Sequence, residues 1–322
     1  MLVPRFILPI SIDKSSIFYG PLFYLSRAVA VFLAIPIFLF VSFILLESPK
    51  EAGSTKKGVN PYLEHLKLYK VSKSNFKYQI LYGILILFLV FIPLDFFTYL
   101  FVPDMLVYVA RTLTVSLTDT YLSFDNYFIF LVSVIIIQSS VSFYEETLVR
   151  GFLTKRGSEY FNYLSAVIIS SFCFGLNHFA YYLNPISREY PIWFPFIWFL
   201  EAFFVGVVLS LFLLKKKWIF PLIFAHAFNN IISAHAVWNY LQGNEFVLIA
   251  LYLYLPLLIG TILLFVWQFP RIKESLSTGY KELKTYVLND PSIGESNRDK
   301  YLRIILDLLF GLLIFGLSLI IL

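Results

Sequence analysis

The sequence has little charge and almost no cysteine. Charged residues make up 14% of its 322 residues, hydrophobic residues make up 59%, and the mean hydropathy is +0.78. A soluble protein of this length needs more polar surface than these residues provide, so the composition excludes a water-soluble globular fold. The single cysteine, Cys173, cannot form a disulfide within the chain, so disulfides contribute nothing to the fold.

Long apolar runs recur along the chain instead. A helix needs about 20 apolar residues to cross the hydrocarbon layer of a membrane. We interpret eight segments as such spans, at residues 23–46, 78–102, 126–155, 160–180, 191–214, 218–239, 246–267 and 303–322. The sequence therefore predicts an all-α fold, a polytopic membrane bundle of about eight transmembrane helices within one domain, 1–322. The stretches Glu47–Lys77 and Gln268–Lys300 are polar enough to leave the bilayer.

Basic residues are distributed unequally between the two sides of this predicted topology. If the spans alternate, 20 of the 25 lysines and arginines fall in connections on one side, and five fall on the side of the N-terminus. Basic connections stay in the cytoplasm, so we predict cytoplasmic basic loops and both termini outside, in the cell membrane if the source is prokaryotic. Because the net charge of +5 belongs to these connections, we expect membrane lipids and no nucleic acid as partners.

The third predicted span carries two adjacent carboxylates, Glu145 and Glu146, and then Arg150. Each ionised group in a bilayer costs on the order of a few kcal/mol, so this pair needs a physical reason. At about 100° per helical residue, Arg150 lies about 40° from Glu146 and about 140° from Glu145. Arg150 is therefore predicted to neutralise Glu146 and to leave Glu145 free as a general base. The alternative is an ion network that only locks the helix.

Three more polar residues lie in apolar surroundings: His178, and His226 with Asn230 one helical turn later. His226 and Asn230 share a helix face and can both donate hydrogen bonds into one cavity. At about 1.5 Å per residue, Glu145 and His226 lie about 14 to 15 Å from the basic ends of their spans. On the same scale His178 would lie about 27 Å from Tyr160. A common site therefore requires that the fourth span tilts, bends or starts lower.

These segments resemble the CPBP intramembrane peptidases, a family that includes the type II CAAX prenyl endopeptidases and is also called Rce1-like or Abi. The family is marked by E-E-x-x-x-R, F-x-x-x-H and H-x-x-x-N/D segments in that order. All three occur here, as Glu145–Arg150, Phe174–His178 and His226–Asn230. The resemblance implies a motif-bearing catalytic core at about residues 126–240.

The resemblance also implies a reaction, in which an intramembrane endopeptidase hydrolyses a peptide bond with a glutamate-activated water. Glu145 would activate the water with help from His178, and the Glu146 side chain would support the site together with Arg150. The substrate would be a peptide or protein, which is prenylated in the best-known relatives. The depth of the site and the position of the basic ends suggest a cavity that opens toward those ends.

The same resemblance gives the last two site residues, His226 and Asn230, the stabilisation of the oxyanion of the tetrahedral intermediate. Other functions are compatible with the same residues. Glu145, His178 and His226 form a set that could hold zinc with Glu146 as the base, as in a membrane metallopeptidase. Because Glu146 is predicted to be paired and no H-E-x-x-H segment is present, we favour a mechanism without a cofactor. A non-catalytic scaffold or immunity protein and a proton-relaying transporter are the alternatives that are not peptidases.

Two further carboxylates, Asp95 and Glu201, lie within predicted spans. Intramembrane carboxylates are functional candidates by default, but either is also explained by pairing with Arg27, a tyrosine or a backbone group. Cys173 lies about 140° from His178 around the same helix, which favours a packing role over that of a nucleophile.

Overall fold

A computed structural model describes residues 8–46, 60–114, 120–179, 191, 193–288 and 294–321. All regular secondary structure in these ranges is helical, which agrees with the predicted all-α fold. Five basic residues that enter the predicted charge distribution lie outside these ranges: Arg5, Lys50, Lys56, Lys57 and Arg188.

The helices follow one another along the chain. Their bounds are α1 Leu8–Ser11, α2 Tyr19–Leu46, α3 Pro61–Lys67, α4 Phe76–Phe101, α5 Asp104–Thr114, α6 Tyr127–Tyr160, α7 Tyr163–Leu176, α8 Trp193–Lys216, α9 Phe220–Leu241, α10 Phe246–Val287 and α11 Asn297–Ile321. Three of them contain a π-helical segment, at Leu87–Phe91 in α4, Thr147–Thr154 in α6 and Ala250–Tyr254 in α10.

Six helices in the described ranges are long and apolar enough to cross a membrane, namely α2, α4, α6, α8, α10 and α11. The other two predicted spans correspond to α7 and α9. The α7 segment is short and, with the turn that follows it, ends at Phe179. The α9 helix has 22 residues but includes His226, Asn229 and Asn230. The bundle is therefore polytopic as predicted, and the two helices that depart from a typical span carry candidate site residues.

The spans divide into peripheral and central helices. Only 11% of the most apolar stretch of α10, and 17% of that of α2 and of α11, is buried inside the protein. The corresponding share is 39% for α6 and 44% for α8. Apolar side chains that are exposed along membrane-spanning helices face lipid, so α2, α10 and α11 form the outside of the bundle around α6 and α8.

Two hydrophobic clusters lie at opposite ends of the bundle. We call the end beside Lys155 and Lys215 the basic end; its cluster includes Leu213 and Leu222. The other end, called the α5 end, contains the amphipathic helix α5 and the start of α6. There the buried side chains include those of Met105 and Leu106, so α5 packs into the bundle and does not lie on its surface.

Two polar stretches that were predicted to leave the bilayer are partly helical. Within Glu47–Lys77, residues 47–59 lie outside the described ranges, and α3 packs its buried His65 against the end of α6. Within Gln268–Lys300, α10 continues to Val287 as one helix. The helix thus continues past residue 267, where the seventh span is predicted to end, because a helix can extend beyond the membrane wherever its backbone hydrogen bonds are satisfied within it.

Candidate active site

The two adjacent glutamates of α6 lie in different surroundings. The side chains of Glu146 and Arg150 are both completely buried, and Arg150 Nη1 lies 3.2 Å from Glu146 Oε1. The Arg150 guanidinium also stacks 4.3 Å above the ring of Phe174 on α7. Glu145 keeps 28% of its side chain exposed. The structure thus contains the ion pair that helical spacing predicted, and the remaining carboxylate faces open space.

His226 connects the two glutamates. Its Nδ1 lies 2.8 Å from Glu146 Oε1, and its Nε2 lies 3.7 Å from Glu145 Oε2. The ring stacks on Phe91 of α4 with the centroids 5.8 Å apart. The prediction that Arg150 alone neutralises Glu146 was incomplete, because a residue 80 positions away in sequence contacts the same carboxylate oxygen.

His178 reaches the level of Glu145 through the geometry of a helical hairpin. α6 and α7 are joined by a short turn at Phe161 and Asn162, and the Asn162 side chain caps the start of α7. Glu145 lies 16 residues before Phe161, and His178 lies 17 residues after it. Two antiparallel helices rise equally from their turn, so the two side chains reach similar depths. The predicted mismatch arose because Glu145 was measured from Lys155, although α6 continues to Tyr160.

The candidate site residues line one cavity of about 320 Å³. Glu145, His178, His226 and Asn230 all contribute to its wall, and so does Asn229, which sequence analysis did not single out. No hydrogen bond joins His178 to Glu145 in the described structure, and His178 Nδ1 is buried without a partner. Glu145, His178, His226 and Asn230 therefore line one cavity and are separated by open space.

The cavity extends from the glutamates toward the α5 end. On α6 its lining residues stop at Glu145 and run back to Gln138, and on α9 they begin at His226 and run forward to Val237. Met105 on α5 also lines it. All these residues lie at or beyond the level of the glutamates on the side away from the basic connections. The prediction that the cavity faces the basic ends was therefore wrong, because the helices pack closely there.

Two more carboxylates line the same cavity, Asp95 on α4 and Glu201 on α8. The Thr98 hydroxyl donates a hydrogen bond to Glu201. No ion pair joins either carboxylate to Arg27 in the described part of the chain. Pairing with Arg27, which the sequence left open, is thus wrong for both residues. Thr98 bonds to Glu201, whereas Asp95 Oδ2 is buried without a hydrogen-bond partner.

The donor set proposed for zinc is not arranged as a metal site. Among the described residues, no three or more histidine, cysteine, aspartate or glutamate side chains converge closely enough to hold one ion. Glu145 and His178 face each other across the cavity, and His226 Nδ1 is bonded to Glu146. In this arrangement these three side chains do not bind one metal ion together.

Comparison with known proteins gives one family. Residues 126–232, about a third of the chain, match the model of the family described as type II CAAX prenyl endopeptidase Rce1-like. The match contains all three motifs and supports the resemblance stated above. Neither the comparison with curated proteins nor that with solved structures found a match.

Proposed function

On the premise that residues 126–232 assign this chain to the Rce1-like family, we propose that it is an intramembrane endopeptidase that hydrolyses peptide bonds with a water activated by Glu145. One observation carries the mechanism: of two adjacent carboxylates, Glu146 is buried in an ion pair and Glu145 faces the cavity. A general base must reach a water beside the reacting carbon, and of these two glutamates only Glu145 lines the cavity.

The buried pair fixes the orientation of His226. Because Glu146 is paired with Arg150, its ionised carboxylate accepts a hydrogen bond, and His226 Nδ1–H donates it. His226 Nε2 then points toward Glu145 and the cavity. A histidine held in this way presents one defined ring nitrogen to the substrate, as an oriented catalytic histidine requires.

The water is held between Glu145 and His178 across the cavity. Glu145, whose carboxylate is part-exposed, and His178 both line the cavity, so one water between them can bond to both side chains. Glu145 takes a proton from this water as its oxygen bonds to the carbonyl carbon. The carbonyl carbon becomes tetrahedral, and its former double-bonded oxygen carries the negative charge.

His226 and Asn230 then stabilise that oxyanion. In this mechanism His226 carries a proton on each ring nitrogen throughout and neither gains nor loses one, so Nε2 donates to the oxyanion while Nδ1 stays bonded to Glu146. Asn230 donates from its side-chain amide. Preorganised donors at a developing oxyanion each contribute about 10²-fold to 10³-fold in rate. When the C–N bond breaks, Glu145 returns its proton to the leaving amine, which completes the hydrolysis.

The chain is an integral membrane protein, and a peptidase of this family acts on membrane-associated peptides. The proposal also includes a peptide substrate that carries a lipid modification, basic loops on the cytoplasmic side, and a mechanism that uses no cofactor.

The test is turnover of a fluorogenic farnesylated CAAX peptide by the purified protein in detergent. We expect Glu145→Gln to lower kcat by about 10²-fold to 10⁴-fold, the usual contribution of a general base, and a chelator to have no effect. Asp95→Asn is the matched control, because it neutralises another carboxylate of the same cavity to which the proposed mechanism assigns no step. Full activity of Glu145→Gln, or loss to chelator that zinc restores, would overturn the mechanism.

A further inference from the structure

Glu201 is a carboxylate inside a membrane-spanning helix that the mechanism above does not use. It lies on α8, outside all three motifs, and its partly exposed side chain lines the cavity. One of its oxygens, Oε1, accepts a hydrogen bond from the Thr98 hydroxyl on α4. No hydrogen bond or ion pair joins its other oxygen to any part of the chain that the structure describes. A carboxylate within a span is costly and marks a functional position by default, so Glu201 requires an explanation that the motifs do not supply.

The cavity carries more negative than positive charge. In the mechanism above, the charges of the two glutamates of α6 are balanced by those of Arg150 and the doubly protonated His226. Arg27 interacts with one of these glutamates but does not line the cavity. Asp95 and Glu201 add two further carboxylates to the wall, and no lysine or arginine is among the described residues that line it. In surroundings of low dielectric constant, this excess of negative charge favours a cationic ligand.

Two contacts of α4 place Glu201 relative to the reacting groups. The Phe91 ring stacks on His226. Thr98, seven residues after Phe91, is bonded to Glu201. Seven helical residues rise about 10 Å, so Glu201 lies about 10 Å from the level of His226, on the side of the α5 end. Asp95 lies between these two levels, and its charge interacts with that of Glu201. An extended peptide covers about 3.3 to 3.6 Å per residue, so about three of its residues separate the two levels.

We propose that Glu201 binds a lysine or arginine side chain of the substrate, about three residues from the scissile bond, and so selects basic peptides. This inference rests on the proposed peptidase function. An ammonium or guanidinium group donates to a carboxylate in a charge-assisted hydrogen bond, which is shorter and stronger than a neutral one. The unbonded oxygen of Glu201 accepts this bond, while Thr98 holds the other oxygen in place. The substrate thus supplies the cation that the wall of the cavity lacks.

A simpler role for Glu201 is structural, because its bond to Thr98 joins α8 to α4. A structural residue acts on the enzyme whatever the substrate, so its removal lowers the turnover of every peptide equally. An inorganic cation held by the carboxylates would also act on every peptide. A residue that binds a basic side chain acts only on substrates that carry one, so its removal changes kcat/KM for those substrates alone.

The experiment compares versions of one peptide that differ only at the third residue before or the third residue after the cleaved bond. These positions carry either lysine or norleucine, which has a similar length and no charge. At one of the two positions, we expect the wild-type protein in detergent to cleave the lysine peptide with a kcat/KM about 10-fold to 100-fold higher, the range for a hydrogen bond to a charged group. In Glu201→Gln this kcat/KM falls to that of the norleucine peptide, which itself does not change. Glu201→Asp retains part of the preference.

Glu245→Gln is the matched control, because Glu245 is an exposed carboxylate at the same end of the bundle that does not line the cavity. It should leave the preference for lysine intact. Equal loss with both peptides in Glu201→Gln would establish the structural role and overturn the inference. Loss of activity with both peptides when N-methylglucamine replaces sodium and potassium would assign the carboxylates to an inorganic cation and overturn it as well.

Failure of the inference and failure of the proposed function give different results. If the wild type cleaves the lysine and norleucine peptides equally and Glu201→Gln changes neither, the inference falls and the peptidase stands. If no peptide is cleaved, the proposed function fails for these peptides, and fluorescence anisotropy then measures their binding to the Glu145→Gln variant. Tighter binding of a lysine peptide, lost in Glu145→Gln with Glu201→Gln, supports the site for a basic side chain; equal binding refutes it.

Discussion

The two ends of the helix bundle differ in how they use polar residues. At the basic end, small polar side chains join neighbouring helices: the Thr154 hydroxyl donates to Ser170 at 2.7 Å and lies 3.2 Å from Ser210. Tyr69 donates to Thr147 at 2.8 Å. Toward the α5 end, polar residues such as Asp95 and Asn230 line a cavity. Polar groups in a membrane bundle thus either bind helices together or face a water-accessible space.

The boundary between the two ends passes between Glu145 and Glu146. Glu146 belongs to the packed end, where Arg150 and His226 both contact its Oε1. Glu145, the preceding residue, belongs to the cavity. Adjacent residues on a helix point about 100° apart, so one pair of glutamates can supply both a structural anchor and a reactive group. The comparison predicts that variants at the packed end affect stability and that variants at the cavity end affect activity.

The largest expected effect is on cysteine labelling from outside the cell. It is all-or-none, because only the end of the bundle that faces outside can be labelled in intact cells. The charge distribution predicts that Lys215 is cytoplasmic and that Glu245, in the connection at the α5 end, is outside. A membrane-impermeant maleimide should label Glu245→Cys in intact cells and Lys215→Cys only after permeabilisation. The native Cys173 is buried and gives a low background. The reverse pattern would contradict the predicted topology and put the cavity end in the cytoplasm.

The next largest expected effect is on the free energy of unfolding, which should depend on the Glu146 ion pair and hardly on Glu145. Arg150→Met leaves Glu146 buried without its cation, and breaking a buried ion pair in this way costs about 3 to 5 kcal/mol. Glu145→Gln, at a part-exposed position, should change the free energy of unfolding by no more than about 0.5 kcal/mol. Thermal unfolding in detergent measures both. Combining Glu146→Gln with Arg150→Met should recover part of the loss, and equal effects of the two single variants would refute the division.

The smallest effect is a pH dependence at the packed end, carried by His65 on α3. Burial lowers the pKa of His65 below its ordinary value of 6.5, although the ring lies 3.2 Å from the Gly151 carbonyl oxygen, to which Nδ1–H donates. The folded state therefore binds a proton less readily than the unfolded state. This stability is complete above about pH 6.5 and is lost as the pH falls.

Melting temperatures in detergent at pH 7.5 and pH 5.5 measure this dependence. We expect a larger decrease on acidification for the wild type than for His65→Gln, which cannot titrate at that position. An identical decrease in both proteins would show that other groups carry the pH dependence.

Local periodicity was enough to predict several features. The apolar runs predicted a polytopic helical bundle, and the i, i+4 spacing predicted the ion pair of Glu146 with Arg150. The single domain over residues 1–322, the catalytic core at about residues 126–240 and the roles of the site residues stay predictions. These successes share one cause, because each depends on residues within a few turns of one helix.

Features that depend on how several helices pack were harder to predict from the sequence. The level of His178 was misjudged because the length of α6 beyond the membrane decides where the hairpin turns. The direction of the cavity was wrong because it depends on where helices separate, which periodicity does not encode. Asn229 was missed because it lies one residue before the motif position Asn230 and only the packing of α9 brings it to the cavity.

The sequence by itself determined that this protein lies in a membrane and that Arg150 pairs with Glu146 rather than with Glu145, since apolar length and helical spacing are local properties. Tertiary structure alone decided that His226 joins both glutamates, that the cavity extends toward α5 and that Arg27 stacks on Tyr144. These contacts join residues far apart in the chain, and their distances depend on how whole helices cross and pack.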